Sequence, residues 1–209
     1  MNNQFKNKSM EINSRDHKFA DLALNEASNS NMKYHKHGCV AVCSGVVIAK
    51  GHNSDRCYSK DGFLHDTCSC HAEIDVVRKL YRMQKNNVMS GVIEHNSGFY
   101  NRISLYVVRK SNCGKYYKDS APCERCTLII KSLNIKNIIF SNENGTLSKY
   151  RVKNYYSIHE SQGNRYLYRN MKERGEENKS DPEKKHEIKI KSLNKIAHIV
   201  QLNKLFPKN

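Results

Sequence analysis

Tryptophan is absent from this chain of 209 residues, and aromatic residues make up only 9% of it. A core must therefore rest mainly on Ile, Leu, Val, Tyr and Phe. No apolar run approaches the roughly 20 residues that a helical membrane span needs. The opening stretch "MNNQFKNKSMEINSRD" lacks the apolar middle of a secretory signal. A cytoplasmic location is expected, or a nuclear one, neither secreted nor in a membrane. Acidic residues are scarce too: 20 Asp and Glu stand against 36 Lys and Arg, a formal charge of +16. Such a surplus suits a nucleic-acid partner. A lysine- and asparagine-rich composition inherited from an AT-rich genome would give the same charge, so charge alone does not choose.

What the chain does hold is eight cysteines. In a chain of this length without a secretory signal they point to metal binding or plain thiols rather than a disulfide framework. Residues 1–15 read as a polar tail. Asp16 can cap a helix over "DHKFADLALNEASNS", whose Phe19, Leu22, Ala23 and Ala27 recur at helical spacing. "GCVAVCSGVVIAKGHN" is a hairpin turning at Ser44-Gly45. After a polar loop over 54–70, a second helix is expected from Ala72 to Met83, with Glu73 and Asp75 in its first turn. Residues 83–102 look like an inserted loop. "ISLYVVRK" and "IKNIIFSN" read as strands flanking a third helix, "CERCTLIIKSLN". Residues 171–209 read as a charged linker followed by a basic tail, leaving 16–170 as one domain. This order predicts an α/β fold, a mixed sheet of about five strands in three layers with helices on both faces.

The chemistry lies in "CSCHAEIDVV" and "SAPCERC". Each sits at a predicted helix start. Cys123 and Cys126, three apart, fall on one face of a first helical turn. If the two helix starts meet at one sheet edge, His71, Cys123 and Cys126 can face a single ion, a three-ligand set that leaves a fourth position for water, as catalytic zinc requires. The positive end of a helix also favours thiolate over thiol. Glu73, two residues past the histidine, can exchange protons with such a water without binding metal. A lone Cys-x-x-Cys has other readings, among them a redox pair or structural zinc. Joined to a distant His-x-Glu it is far more specific, and the combination is the signature of zinc base deaminases.

On these residues the chain, from about His17 to Ser141, resembles the cytidine and deoxycytidylate deaminase superfamily, which also holds deaminases of adenosine in tRNA, cytosine and guanine. The resemblance implies one catalytic Zn2+ on His71, Cys123 and Cys126, with Glu73 as proton shuttle. It implies hydroxide attack on the amino-bearing ring carbon and loss of ammonia. By the same resemblance Asn53 of "KGHNSD" would hold substrate, and backbone groups of Ala72, Ser120 and Ala121 would hydrogen-bond the base. A homo-oligomer is implied as well.

His65, Cys68 and Cys70 could contribute to a second, structural zinc, although their spacing fits no standard knuckle and plain thiols explain them as well. The "SCHAEID" context suits a small-molecule cytosine nucleotide or nucleoside as substrate, of the dCMP-to-dUMP kind. The basic charge suits bases within tRNA or other nucleic acid. A catalytically silent zinc protein fits less well, since Glu73 is intact. Arg165 and Arg169 stand among tyrosines where they could hold a phosphate or simply pack on the core.

Overall fold

The computed structural model describes residues 8–65, 67–89, 98–114 and 116–166, with only the backbone of 87–89. The expected linker and basic tail at 171–209, and Arg169 before them, lie outside the described residues.

Six strands form one mixed sheet: β1 His37–Cys43, β2 Val46–His52, β3 Ile103–Lys110, β4 Tyr117–Lys118, β5 Asn137–Ser141 and β6 Leu147–Arg151. Their order is β2-β1-β3-β5-β6, with β4 paired to β3. Only β3 and β5 run parallel. The hairpin turns where expected, with Ser44 and Gly45 both at positive φ, as a type I′ turn demands.

Strand alternation sorts the side chains into two cores. Val40, Val42, Tyr106, Val108 and Ile139 pack under α1, Ser14–Ala27. Cys39, Ala41, Leu105, Val107 and Ile138 pack under α2, Ala72–Met89, and α3, Glu124–Ser132. The three-layer α/β architecture is the one expected, with the short β4 added.

Asn13, not Asp16, caps α1. The Asn13 side chain accepts from Asp16 N at 3.1 Å, and Asp16 Oδ2 accepts from Asn13 N at 2.9 Å, a capping box. The Asp16 carboxylate has a second use: Lys149 Nζ lies 2.9 Å away, and Tyr106 donates its hydroxyl at 2.8 Å. A helix cap is thereby tied to β3 and β6. Burial by itself would raise the pKa of Asp16, but the hydrogen bonds from Asn13, Lys149 and Tyr106 prevail and hold it below 3.8.

Helix α2 continues to Met89, past the expected end at Met83. The stretch 83–102 is therefore not simply a loop: it begins as helix and ends in a 3-10 turn, Tyr100–Arg102, while 90–97 lie outside the described residues. "RMQK" consists of good helix formers, so nothing local stops the helix at Met83.

The polar loop before α2 is fastened at both ends. Ser54 and Cys70 exchange backbone hydrogen bonds at 3.0 and 2.9 Å. Within it, Asp61 receives Arg78 Nε of α2 at 2.8 Å, and Phe63 and Leu64 are buried. The residue after Cys70 is His71.

Candidate active site

The two helix starts meet as the spacing predicts. His71 precedes α2, and its carbonyl accepts from Asp75 N at 3.0 Å. Cys123 is the N-cap of α3, and its carbonyl accepts from Thr127 N at 2.9 Å. His71 Nδ1 lies 3.5 Å from Cys123 Sγ and 3.2 Å from Cys126 Sγ. The three donor atoms all fall within 4.8 Å of one another. With Zn–S near 2.3 Å and Zn–N near 2.0–2.1 Å, tetrahedral geometry places N and S about 3.5 Å apart. Donor set and spacing both fit zinc.

The charge balance points the same way. The Cys126 thiol donates to Cys123, which together with His71 holds Cys123 well below the usual thiol range; Cys126, holding the shared proton, is pushed well above it. Burial would lower the pKa of His71, but the Cys123 thiolate and then Glu73 outweigh it and raise it to about 9. Buried anionic sulfur of this kind attracts cations, and one divalent ion can neutralise both thiolates.

Glu73 sits in the first turn of α2, 5% exposed, with burial raising its pKa. A carboxylate made more basic in this way suits proton transfer.

The residues assigned by resemblance to substrate are placed as follows. Asn53 follows β2 and is buried. Its Oδ1 accepts from His37 N at 2.8 Å, and its Nδ2 donates to the His35 carbonyl at 2.9 Å. Ala72 opens α2, where first-turn N–H groups have no helical partner. Ser120 is occupied structurally: its N donates to Ser141 O at 2.8 Å and its Oγ to Val107 O at 2.8 Å. Ala121 N donates to Asp119 Oδ1 at 3.2 Å. Of the Ser120-Ala121 backbone, the carbonyl oxygens are what can face a base.

His65, Cys68 and Cys70 do not form a second cluster among the described residues. Cys68 Sγ donates to Gly163 O at 3.2 Å. Burial pushes the Cys70 thiol up to about 12, and it donates to His71 O at 3.5 Å. A thiol held neutral in this way makes a poor metal ligand. A cavity of about 780 Å3 lies between α1 and the β3–β4 turn; no residue of the zinc triad, nor Glu73, lines it.

Sequence reasoning missed two residues near the site, His37 and Arg109. They face each other across β1 and β3. Alternation puts both on the α2/α3 face, in line with Cys39 and Val107. Burial lowers His37 to about 4, so the ring is neutral at neutral pH, and His71 and Arg109 act on it electrostatically. Polar residues at inward positions of strands were the available signal.

The family profile of the cytidine and deoxycytidylate deaminase zinc-binding region matches residues 13–142. No curated protein matches the chain. Among solved structures, a dCMP deaminase from the cyanophage S-TIM5, in complex with dCMP and dUMP, is similar at 19% identity, with 64% of this chain and 85% of that one covered and a TM-score of 0.43. A cytidine deaminase from Burkholderia pseudomallei is similar at 15% identity, with 68% and 94% covered and a TM-score of 0.43. With more than half its length matched by the family profile, the chain belongs to the cytidine and deoxycytidylate deaminase zinc-binding family.

Proposed function

We propose that this chain is a zinc-dependent hydrolytic deaminase of a cytosine nucleotide or nucleoside, of the dCMP-to-dUMP type. The observation that carries the reading is the convergence of His71, Cys123 and Cys126 with a buried Glu73 two residues beyond the histidine. The three residues would hold zinc, which as a Lewis acid brings the pKa of a water to about 7. Glu73 takes the proton of the attacking water and returns it to the leaving amino nitrogen. Its burial keeps bulk water from competing for that proton. The N–H of Ala72 and the carbonyls of Ser120 and Ala121 hold the base in plane, and Asn53 fixes the wall beside it. Residues 16–170 form the deaminase domain in this reading, and the family's habit of assembly makes a homo-oligomer the expected state.

A deaminase of bases in tRNA or other nucleic acid is the second reading, favoured by the charge of +16. Zinc-loaded protein offered dCMP, followed by absorbance to dUMP, separates the two. Glu73→Gln keeps size and polarity but cannot shuttle protons, and should lower the rate about 100- to 10,000-fold with zinc content unchanged. Absence of turnover in folded, zinc-loaded wild type overturns the nucleotide reading.

A further inference from the structure

Arg109 is the anomaly of the inner sheet face. Two other buried cations are matched: Arg78 with Asp61, and Lys149 with Asp16. Arg109 has no carboxylate partner among the described residues, and its Nε is buried without a hydrogen-bond partner. A buried guanidinium left unpaired is costly, and such groups call for a functional explanation.

Its position supplies one. Arg109 pairs across β1 with His37, whose N–H holds Asn53. Two residues earlier, about 6.6 Å along the strand, the Val107 carbonyl accepts from Ser120 in the segment leading to Cys123. Arg109 thus stands between the Asn53 corner and the loop carrying two zinc ligands. The residue is not sealed in, because Arg109 also lines the open cavity of about 780 Å3. The two histidines beside it add no competing anion: His37 stays neutral, and Arg109 lowers the pKa of His35 further after burial.

We propose that Arg109 is a substrate-binding residue that receives the phosphomonoester of a nucleotide, so that the enzyme selects nucleotide over nucleoside. This rests on the reading of the zinc site as a cytosine deaminase site. The planar fork of arginine matches phosphate oxygens in pairs, and such charge-assisted bonds are the strong ones.

The test is calorimetric titration of zinc-loaded protein with dCMP and with deoxycytidine, for wild type, Arg109→Gln and Arg109→Lys. Wild type should bind dCMP at least about 10-fold tighter than deoxycytidine. Arg109→Gln should collapse that ratio by about 10- to 100-fold. Arg109→Lys, which keeps charge but loses the fork, should collapse it partly and carries the test if the glutamine variant does not fold. Equal wild-type affinities overturn the proposal, and so does a ratio unmoved in a folded variant. Turnover of both ligands is measured alongside. A protein that binds dCMP through Arg109 yet deaminates neither compound supports the phosphate contact and refutes the deaminase reading. Deamination of both with equal wild-type affinities does the reverse.

Discussion

Gly38 is where α1 and β1 come closest, and replacing it with alanine tests the packing of the outer layer. A Cβ built there would lie 1.9 Å from the Ala23 carbonyl oxygen, 2.5 Å from Ala27 N and 3.0 Å from Ala23 C. All three are backbone atoms of α1, so no side chain can swing aside. An ordinary contact starts near 3.4 Å, and the helix would have to retreat by about 1.5 Å. Ala20, Ala23 and Ala27, all fully buried, would lose their contacts with the sheet. The retreat also pulls on the Asp16–Lys149 pair. Overpacking typically destabilises by about 1–3 kcal/mol, and a rigid backbone obstacle belongs at the upper end. At about 2–4 °C per kcal/mol for a chain of this size, Gly38→Ala should lower Tm by about 6–12 °C. Thermal unfolding of the zinc-loaded protein followed by circular dichroism measures this. A fall of less than about 2 °C, below the shift of a single kcal/mol, would refute the argument, because α1 would then not be seated on β1 as described.

Chelating zinc should lower Tm as well. If free zinc stands at about 100 times its dissociation constant, binding contributes about 2.7 kcal/mol, or about 5–11 °C at the same conversion; metal analysis of the same sample confirms removal, and an unmoved Tm counts against a metal held by buried His71, Cys123 and Cys126. Asp61→Ala strands Arg78, 4% exposed, without its carboxylate; loss of one partner from a buried pair costs about 3–5 kcal/mol, and limited proteolysis should cut faster within 54–70, while an unchanged digestion pattern would mean that the pair does not anchor the loop. Asp16, its pKa held below 3.8 in the fold, contributes stability that is present above 3.8 and lost as pH falls through the folded value. Asp16→Asn should therefore flatten the acid limb of a stability profile taken by urea unfolding, and an equally steep limb would show that other carboxylates produce it.

Where structure follows local pattern, the sequence was enough to read it. Ser44-Gly45 announced its turn, and the apolar spacing announced the helices. His71 and the two cysteines could be joined because each stands at a helix start, and the strand between returns the chain to the same sheet edge. Distant partners were not visible in this way. Asp16 has the right chemistry for an N-cap, but what fixes its role is Lys149, which lies 133 positions on. Strand β6, "LSKYR", buries only Leu147 and shows little alternation; pairing with β5 makes it a strand. Arg109 carries no motif. It reads as the polar end of a strand until the register sets it beside His37.

Asn53 shows how one side chain can serve both fold and site. Shape alone would admit its amide either way round, but here two backbone groups decide. The His37 N–H requires an acceptor, so Oδ1 faces it, and the His35 carbonyl requires a donor, so Nδ2 faces that. The backbone of Asn53 closes the same corner: its N donates to His37 O at 3.1 Å, and its carbonyl accepts from Ser30 Oγ at 2.8 Å. Four bonds therefore fix the start of β1, the end of β2 and the segment after α1 to a single residue. Each end of the amide still has capacity in reserve, a second lone pair on Oδ1 and a second hydrogen on Nδ2. A substrate that uses them meets an amide whose orientation is already set, so little freedom is lost on binding. The same four bonds hold His37 in place, and through the β1–β3 register they hold Arg109. The corner that locks the sheet edge is thus also the wall against which a nucleotide would be measured, so a substitution at Asn53 that weakens binding acts on both at once.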